Sequence, residues 1–292
     1  MNKRFKKAVI TELEALAFLA PFLIIFCVFF LWAVMKGVYI SVHKWTILGK
    51  VSFVGASNYI RVLTSGAFYR YLWNSLYYVI ISTPILIVVG LGLALVINAK
   101  IKGRTFYRVA YFMPYVLSVS VVSFIWLKLF DSNRGLLNVI LLALGKKTPV
   151  NWLTDTHVVW WSIVLASVWW GVGFVMVLYL AGLQEIPESY YEAASIDGAS
   201  DWQKFWYITL PCLKGVTKVQ VFFQIIAGLK LFGQTQMMTG GGPGDTTKTM
   251  VMHIYNTGFK KDQFGEASAI SILFCLFMLI FTILQNQKRR EE

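Results

Sequence analysis

Tyr191–Pro211 reads YEAASIDGASDWQKFWYITLP, a polar stretch set between two long apolar ones. Pro187 suits the first turn of a helix and Glu188 complements the positive end of its dipole, so the sequence predicts a helix from about Glu188 to Ile196. That helix places Tyr191, Ala194 and Ser195 on one face, where small side chains let another surface come close. Gly198 ends it, and a second short helix around Asp201–Ile208 runs to Pro211, which stops it and starts the next apolar element. Helix, glycine, helix and proline in that order describe a projecting joint. The solvent of the flanking runs decides what kind of fold carries it.

With 57% hydrophobic and only 14% charged residues in 292, the chain lies outside ordinary soluble composition. Charge-free runs cover Ala15–Val34, Tyr71–Ala99, Val109–Leu127, Thr156–Gln184 and Ala267–Gln287. Each approaches or exceeds the roughly 20 residues that cross about 30 Å of hydrocarbon. Val219–Met238 makes a sixth, interrupted by Lys230 and preceded by Lys218. The sequence therefore predicts an all-α polytopic membrane protein with six transmembrane helices in one domain over 1–292. The spans fall near 15–35, 72–98, 109–130, 157–182, 216–238 and 266–286, with a loop at 183–211. Pro21 and Pro84 lie inside the first two spans and predict kinks there.

The formal charge of +13 does not form a basic stripe with interleaved aromatics, which argues against nucleic acid. Basic residues gather beside apolar runs instead: Lys3, Arg4, Lys6 and Lys7; Lys100, Lys102, Arg104 and Arg108; Lys288, Arg289 and Arg290. The positive-inside rule makes these segments, and so both termini, cytoplasmic. Ala15–Val34 is longer than a secretory h-region and no small-x-small site follows, so an uncleaved first span is expected. Cys27, Cys212 and Cys275 lack metal spacing, and His43, His157 and His253 are scattered through outer loops. No catalytic or metal constellation emerges, and no enzyme activity is expected of the chain. Trp126, Trp152, Trp160, Trp161, Trp169 and Trp170 predict an aromatic belt at the outer interface, and Leu136–Leu144 a short helix lying along it.

Thr239–Thr249, TGGGPGDTTKT, forces a turn after the fifth run. It is not a phosphate-cradling loop, because Lys248 lies four residues after Gly244 and the segment follows no strand. In the fifth run, Gln220, Gln224 and Gly228 recur at i+4 with Gln234 near the same stripe, and polar groups inside a bilayer face the bundle interior or a water-filled cavity.

The spacing of Glu192, Ala193, Ala194, Gly198, Ile208, Leu210 and Pro211, with Asp197 before the glycine, resembles the Glu-Ala-Ala…Gly…Ile-x-Leu-Pro signature of membrane subunits of ATP-driven bacterial importers, in their sugar-importing branch. FVGASNYIRVL over Phe53–Leu63, Arg108-x-x-x-Phe112-x-Pro114-Tyr115, and the Thr-Gly-Gly-Gly-Pro turn resemble further stretches of maltose-type permeases. The resemblance implies a type I ABC importer permease fold in a bacterial cell membrane. Tyr191, Glu192, Ala193, Ala194, Asp197, Gly198, Ile208, Leu210 and Pro211 would couple to an ATP-hydrolysing partner. By the same resemblance Ser167, Trp170, Gly171, Phe174, Gln224, Ala227, Gly228 and Leu231 would line the substrate passage, and Gly240, Gly241, Gly242 and Pro243 would face a docking binding protein. It implies a second permease subunit as a heterodimer, two ATP-binding subunits carrying ATP and Mg, and an extracellular or periplasmic substrate-binding protein, with no cofactor on this chain. Sugars or oligosaccharides are the implied cargo, with glycerol phosphate esters as an alternative. A self-sufficient secondary transporter is the other reading, but no acidic residue lies in the six runs to couple an ion.

Overall fold

The structure, a computed structural model, describes residues 16–99 and 102–290, with 284–290 as backbone only. The basic cluster Lys3–Lys7, Lys100 and the side chains of Lys288, Arg289 and Arg290, which the topology reading uses, lie outside the described part. Among the described residues, four helices are long and apolar enough to cross a membrane: α1 (Leu16–Ser41), α3 (Gly66–Asn98), α7 (Val159–Gln184) and α13, which runs over Phe264–Arg290 and qualifies up to Ile283. Two bent pairs also pass when each is taken together, α4 (Arg104–Val116) with α5 (Val119–Leu129) and α9 (Asp201–Cys212) with α10 (Lys214–Leu229). The expected six spans are reached when each bent pair counts as one.

The chain divides into two compact units, one formed by the chain up to Gly66 together with the chain from Ile254, the other by Ala67–His253. In the first, α1 is followed by an antiparallel hairpin, β1 (His43–Thr46) and β2 (Gly49–Phe53), and by α2 (Ser57–Thr64). The spans predicted near 15–35 and 72–98 leave this stretch without an assigned element. Its Asn58 and Tyr59 turn out to be the fasteners: Asn58 donates to the carbonyls of Ser41 and His43 at 2.7 and 3.0 Å, and the Tyr59 hydroxyl meets Ser41 Oγ at 2.6 Å. Gly265, in the first turn of α13, comes so close to His43 that a Cβ there would sit 2.0 Å from its carbonyl oxygen. The Asp262 carboxylate accepts from the Ile47 amide at the hairpin tip, 2.7 Å.

In the second unit α3 and α7 build the main core from Leu86, Ala94 and Ile97 against Val172, Val175, Met176 and Tyr179. Gly90 allows this approach, since a Cβ would fall 2.4 Å from Val175 Cγ1. α3 runs unbroken through Pro84, where a kink is predicted. α6 (Leu136–Ala143) matches the predicted short helix, and its Asn138 is buried under the carbonyl and amide of Val150 and the Trp152 indole. The predicted tryptophan belt divides. Trp126 and Trp160 are core residues, whereas Trp161 and Trp169 remain exposed. Over half of α7's apolar stretch is buried, against none of α1's, so α7 is the central helix of its unit and draws these rings inward.

Two predicted straight spans are broken. The third bends by 99° between α4 and α5, at Leu117 and Ser118, which are extended. Pro114 lacks an amide for the preceding turn, and Ser118 caps the new helix by accepting from the Val121 amide. The fifth, predicted over 216–238, stops at Leu229; α11 (Gly233–Met238) follows as a separate helix, and α12 (Met250–Tyr255) comes after the turn. Gly233 packs there on Val119, where a Cβ would lie 2.8 Å from its Cγ2.

Candidate functional site

The joint at 188–211 is built by local capping. α8 spans Glu188–Ile196, as the spacing predicts, with extended Pro187 before it and Glu188 in its first turn. Its end is closed by Ala199 N–H donating to Ala194 O (2.8 Å) and Gly198 N–H to Ser195 O (3.1 Å). This closure needs a residue at positive φ, and Gly198 supplies +77° with open space around it. Ser200 and Gln203 then form a reciprocal capping box that starts α9, a Ser-x-x-Gln signal readable in the sequence but not used. The Tyr191 hydroxyl meets Thr209 Oγ1 at 2.9 Å and ties α8 to α9.

The predicted shared face of α8 is therefore split. Tyr191 and Ala194 are half-buried, while Glu192, Ala193, Ser195, Asp197 and Gly198 are exposed, as is Ile196 at 87%. Ile208 and Leu210 are half-buried and Pro211 is exposed. Pro211 does not stop its helix. α9 continues to Cys212 through a π-turn at Phe205–Thr209, and the 63° bend falls one residue later at buried Leu213. A widened turn ahead of a proline accommodates the carbonyl that the ring cannot pair.

The predicted passage residues do not share one role. Ser167 Oγ lies 2.8 Å from both Ile163 O and Gln234 Oε1, and the buried Gln234 leaves its Nε2 with no hydrogen-bond partner among the described residues. Trp170 Nε1 donates to Leu117 O at 3.1 Å, meeting a carbonyl freed by the α4–α5 break. Phe174 stacks on Tyr115 at 5.1 Å. Gly228 is a packing glycine, with a Cβ placed 2.8 Å from Val79 Cγ2. Gly171 is not required by space, since a Cβ there would meet only Leu86, at 3.5 Å. Gly173, which the sequence reading passes over, is the tight position: its Cβ would sit 2.2 Å from Tyr111 O. Ala227 is exposed, Gln224 and Leu231 are half-buried, and the stripe's Gln220 is turned inward, donating to Val175 O at 2.9 Å.

The turn after α11 is stitched rather than open. Thr239 and Thr247 hydroxyls meet at 2.7 Å, Thr247 Oγ1 donates to Gly242 O at 2.7 Å, and Gly240, Gly241 and Gly244 adopt positive φ. The first turns of α3 hold it: Tyr71 O–H donates to Asp245 Oδ2 at 2.7 Å, Asn74 donates to the carbonyls of Asp245 and Lys248, and Ser75 Oγ accepts from the Met250 amide. The Tyr71 hydrogen bond chiefly holds the Asp245 carboxyl below its usual range, against partial burial and with help from Lys248. Gly240, Pro243 and Gly242 are exposed or half-buried, and Gly241 is buried.

Binding-protein-dependent transport system inner membrane components match residues 64–290. The trehalose/maltose transport system permease protein MalF of Thermococcus litoralis is 37% identical over 264 residues, 90% of this chain and 89% of that one. The arabinooligosaccharides transport system permease protein AraP of Bacillus subtilis is 37% identical over 270 residues, 91% of this chain and 85% of its own. A solved bacterial ABC transporter involved in import of the acidic polysaccharide alginate shares the fold, with a TM-score of 0.86 over 99% of both chains at 23% identity. With two bent spans and a capped helical joint, the chain belongs to the inner membrane components of binding-protein-dependent transport systems and is a multi-pass transport permease.

Proposed function

We propose that the chain is one transmembrane half of an ATP-driven importer that receives a sugar or oligosaccharide from an extracellular or periplasmic binding protein. The observation that carries this reading is the joint: a helix whose acids Glu188 and Glu192 are exposed one turn apart, closed at its end by Gly198 and followed at once by α9, which the Ser200–Gln203 box starts. A short rigid helix with one open face suits a groove in another protein, and its acids disfavour an anionic lipid surface. The groove belongs to an ATP-hydrolysing subunit, of which two carry ATP and Mg, and a second permease subunit completes the pore. The joint and both termini face the cytoplasm, and the stitched turn with Gly240–Pro243 faces the binding protein. Trehalose/maltose, arabinooligosaccharide and multiple-sugar systems among the relatives support a carbohydrate cargo.

In the passage, Gln224, Ala227 and Leu231 are the positions left to meet a solute, while Ser167, Trp170, Phe174 and Gly228 shape the helices behind them. The test is uptake in vesicles containing the complex, the binding protein and internal ATP, with the binding protein screened against sugars and glycerol phosphate esters. ATP-dependent uptake of a sugar supports the reading. Uptake that persists without ATP or any ATPase subunit would overturn it, and selective binding of a phosphate ester would replace the cargo.

A further inference from the structure

A pocket of ≈ 230 Å³ lies within the first compact unit, where β1, α2 and the start of α13 meet. Trp45 and Val54 give it apolar surface, and Lys44, Arg61, Asp262 and Glu266 supply charge. Two cations and two carboxylates cancel, so the pocket holds no excess charge to draw in an ion. Their hydrogen-bonding capacity is not used up either. Arg61 Nη1 meets Glu266 Oε2 at 3.1 Å, and Asp262 Oδ1 accepts from the Ile47 amide at 2.7 Å. These contacts take one of about five guanidinium N–H groups and one of about four acceptor sites on each carboxylate. Donors and acceptors therefore stand side by side with room for more partners. Trp45 is half-buried and braced, with the Tyr39 ring 6.1 Å away at 78° and Lys36 Nζ 5.5 Å from its centroid. The frame is fixed as well, by buried Asn58 on the Ser41 and His43 carbonyls and by Gly265 packed against His43.

We propose that this pocket binds one ring of a neutral sugar, with the C–H face of the ring on Trp45 and its hydroxyls on the Arg61–Glu266 pair and Asp262. A hydroxyl both donates and accepts, so a wall of mixed, part-used donors and acceptors serves it well. A ligand of either charge meets two like charges there and gains nothing net. The indole adds flat apolar surface of the kind that aromatic side chains bring to binding sites. The volume falls below the about 300–1,000 Å³ of sites for drug-sized ligands, so the pocket takes a single ring and not a chain of them. Every predicted passage residue belongs to the other compact unit, which makes this a second, separate sugar site. The inference rests on the carbohydrate cargo and the topology proposed above, on which the pocket opens to the outside, where the sugar arrives.

The test is saturation-transfer NMR on the full chain with its co-purified partners in nanodiscs, without a binding protein. The probes are the methyl glycosides of glucose, galactose and arabinose, with glucuronate and glucosamine as charged counterparts. The expected result is transfer to at least one neutral glycoside that exceeds transfer to either charged sugar. Its dissociation constant should rise roughly fivefold for Trp45→Ala or Glu266→Gln, rise less for Trp45→Phe, and stay unchanged for Gln224→Ala, which alters the passage alone. Silence from all three neutral glycosides overturns the proposal, as does a stronger signal from a charged sugar, and neither comparison needs a variant. Binding untouched by Trp45→Ala and Glu266→Gln, or lost in Gln224→Ala, would put the sugar elsewhere and also overturn it. Uptake of a phosphate ester would replace the proposed cargo and leave the binding result standing, whereas sugar uptake with a silent pocket would sink the pocket alone.

Discussion

The joint at 188–211 and the turn at 239–249 are both polar, glycine-marked segments between apolar helices, yet they spend their hydrogen bonds differently. The joint closes on itself, through the Gly198 turn, the Ser200–Gln203 box and the Tyr191–Thr209 contact, and leaves a whole face exposed. The turn is fastened to α3 at Tyr71, Asn74 and Ser75 as well as by its own Thr239–Thr247 contact. The joint keeps its shape by its own caps, while the turn borrows rigidity from a neighbouring helix.

The strongest way to break this contrast is charge reversal on the open face. Glu192→Arg is expected to reduce ATP-dependent vesicle uptake to background with expression and thermal unfolding unchanged; wild-type flux would show that the face is not gripped. Paired alanine substitutions sharpen it next. Gly198→Ala and Gly241→Ala each pay about 1–2 kcal/mol for positive φ, but at Gly241 the new Cβ also meets Met252 and Lys248 at 3.1–3.3 Å. The unfolding midpoint should fall further for Gly241→Ala, and uptake further for Gly198→Ala. Ser200→Ala removes the cap of α9 and should cost about 1 kcal/mol, read by denaturant unfolding. Tyr71→Phe should cost a comparable or smaller amount, about 0.5–1.5 kcal/mol, and hasten protease cleavage within 240–248 but not within 188–200. The smallest effect concerns pH. Because the Asp245 carboxyl is depressed in the folded state, its contribution is complete above the ordinary carboxylate value of about 3.9 and is lost as pH falls through the lower folded value. The difference in melting temperature between the parent chain and Asp245→Asn should therefore shrink on acidification below that point.

The joint was legible because its information is local: Pro187, Glu188 and Gly198 act within a turn or two of themselves, and α8 begins and ends where they place it, whereas Pro211, read as a stop, lies inside α9. The Ser200–Gln203 box was equally local. The number of apolar runs was legible too, since length against bilayer thickness needs no tertiary knowledge. The faces were not. α7 is apolar all round, so no periodicity distinguishes the side that meets α3 from the side that meets α4, and the roles of Trp160, Trp170 and Gly173 follow from neighbours far away in sequence. Pro114 signals a disturbance in the third run, but a 99° break three residues later also depends on the Trp170 donor and on Gly233 packing beside Val119. The division of the fifth run at Lys230–Phe232 rests on a similar long-range tie, Thr249 Oγ1 donating to Leu231 O at 2.6 Å.

The indole on Leu117 O has a mechanical corollary. In hydrocarbon an abandoned carbonyl is costly by several kcal/mol, so α7 cannot draw away from the α4–α5 break dry; whatever moves Trp170 must furnish a replacement donor at the same instant. Water entering between the helices would be such a donor, which makes wetting a precondition for movement at this elbow of the bundle.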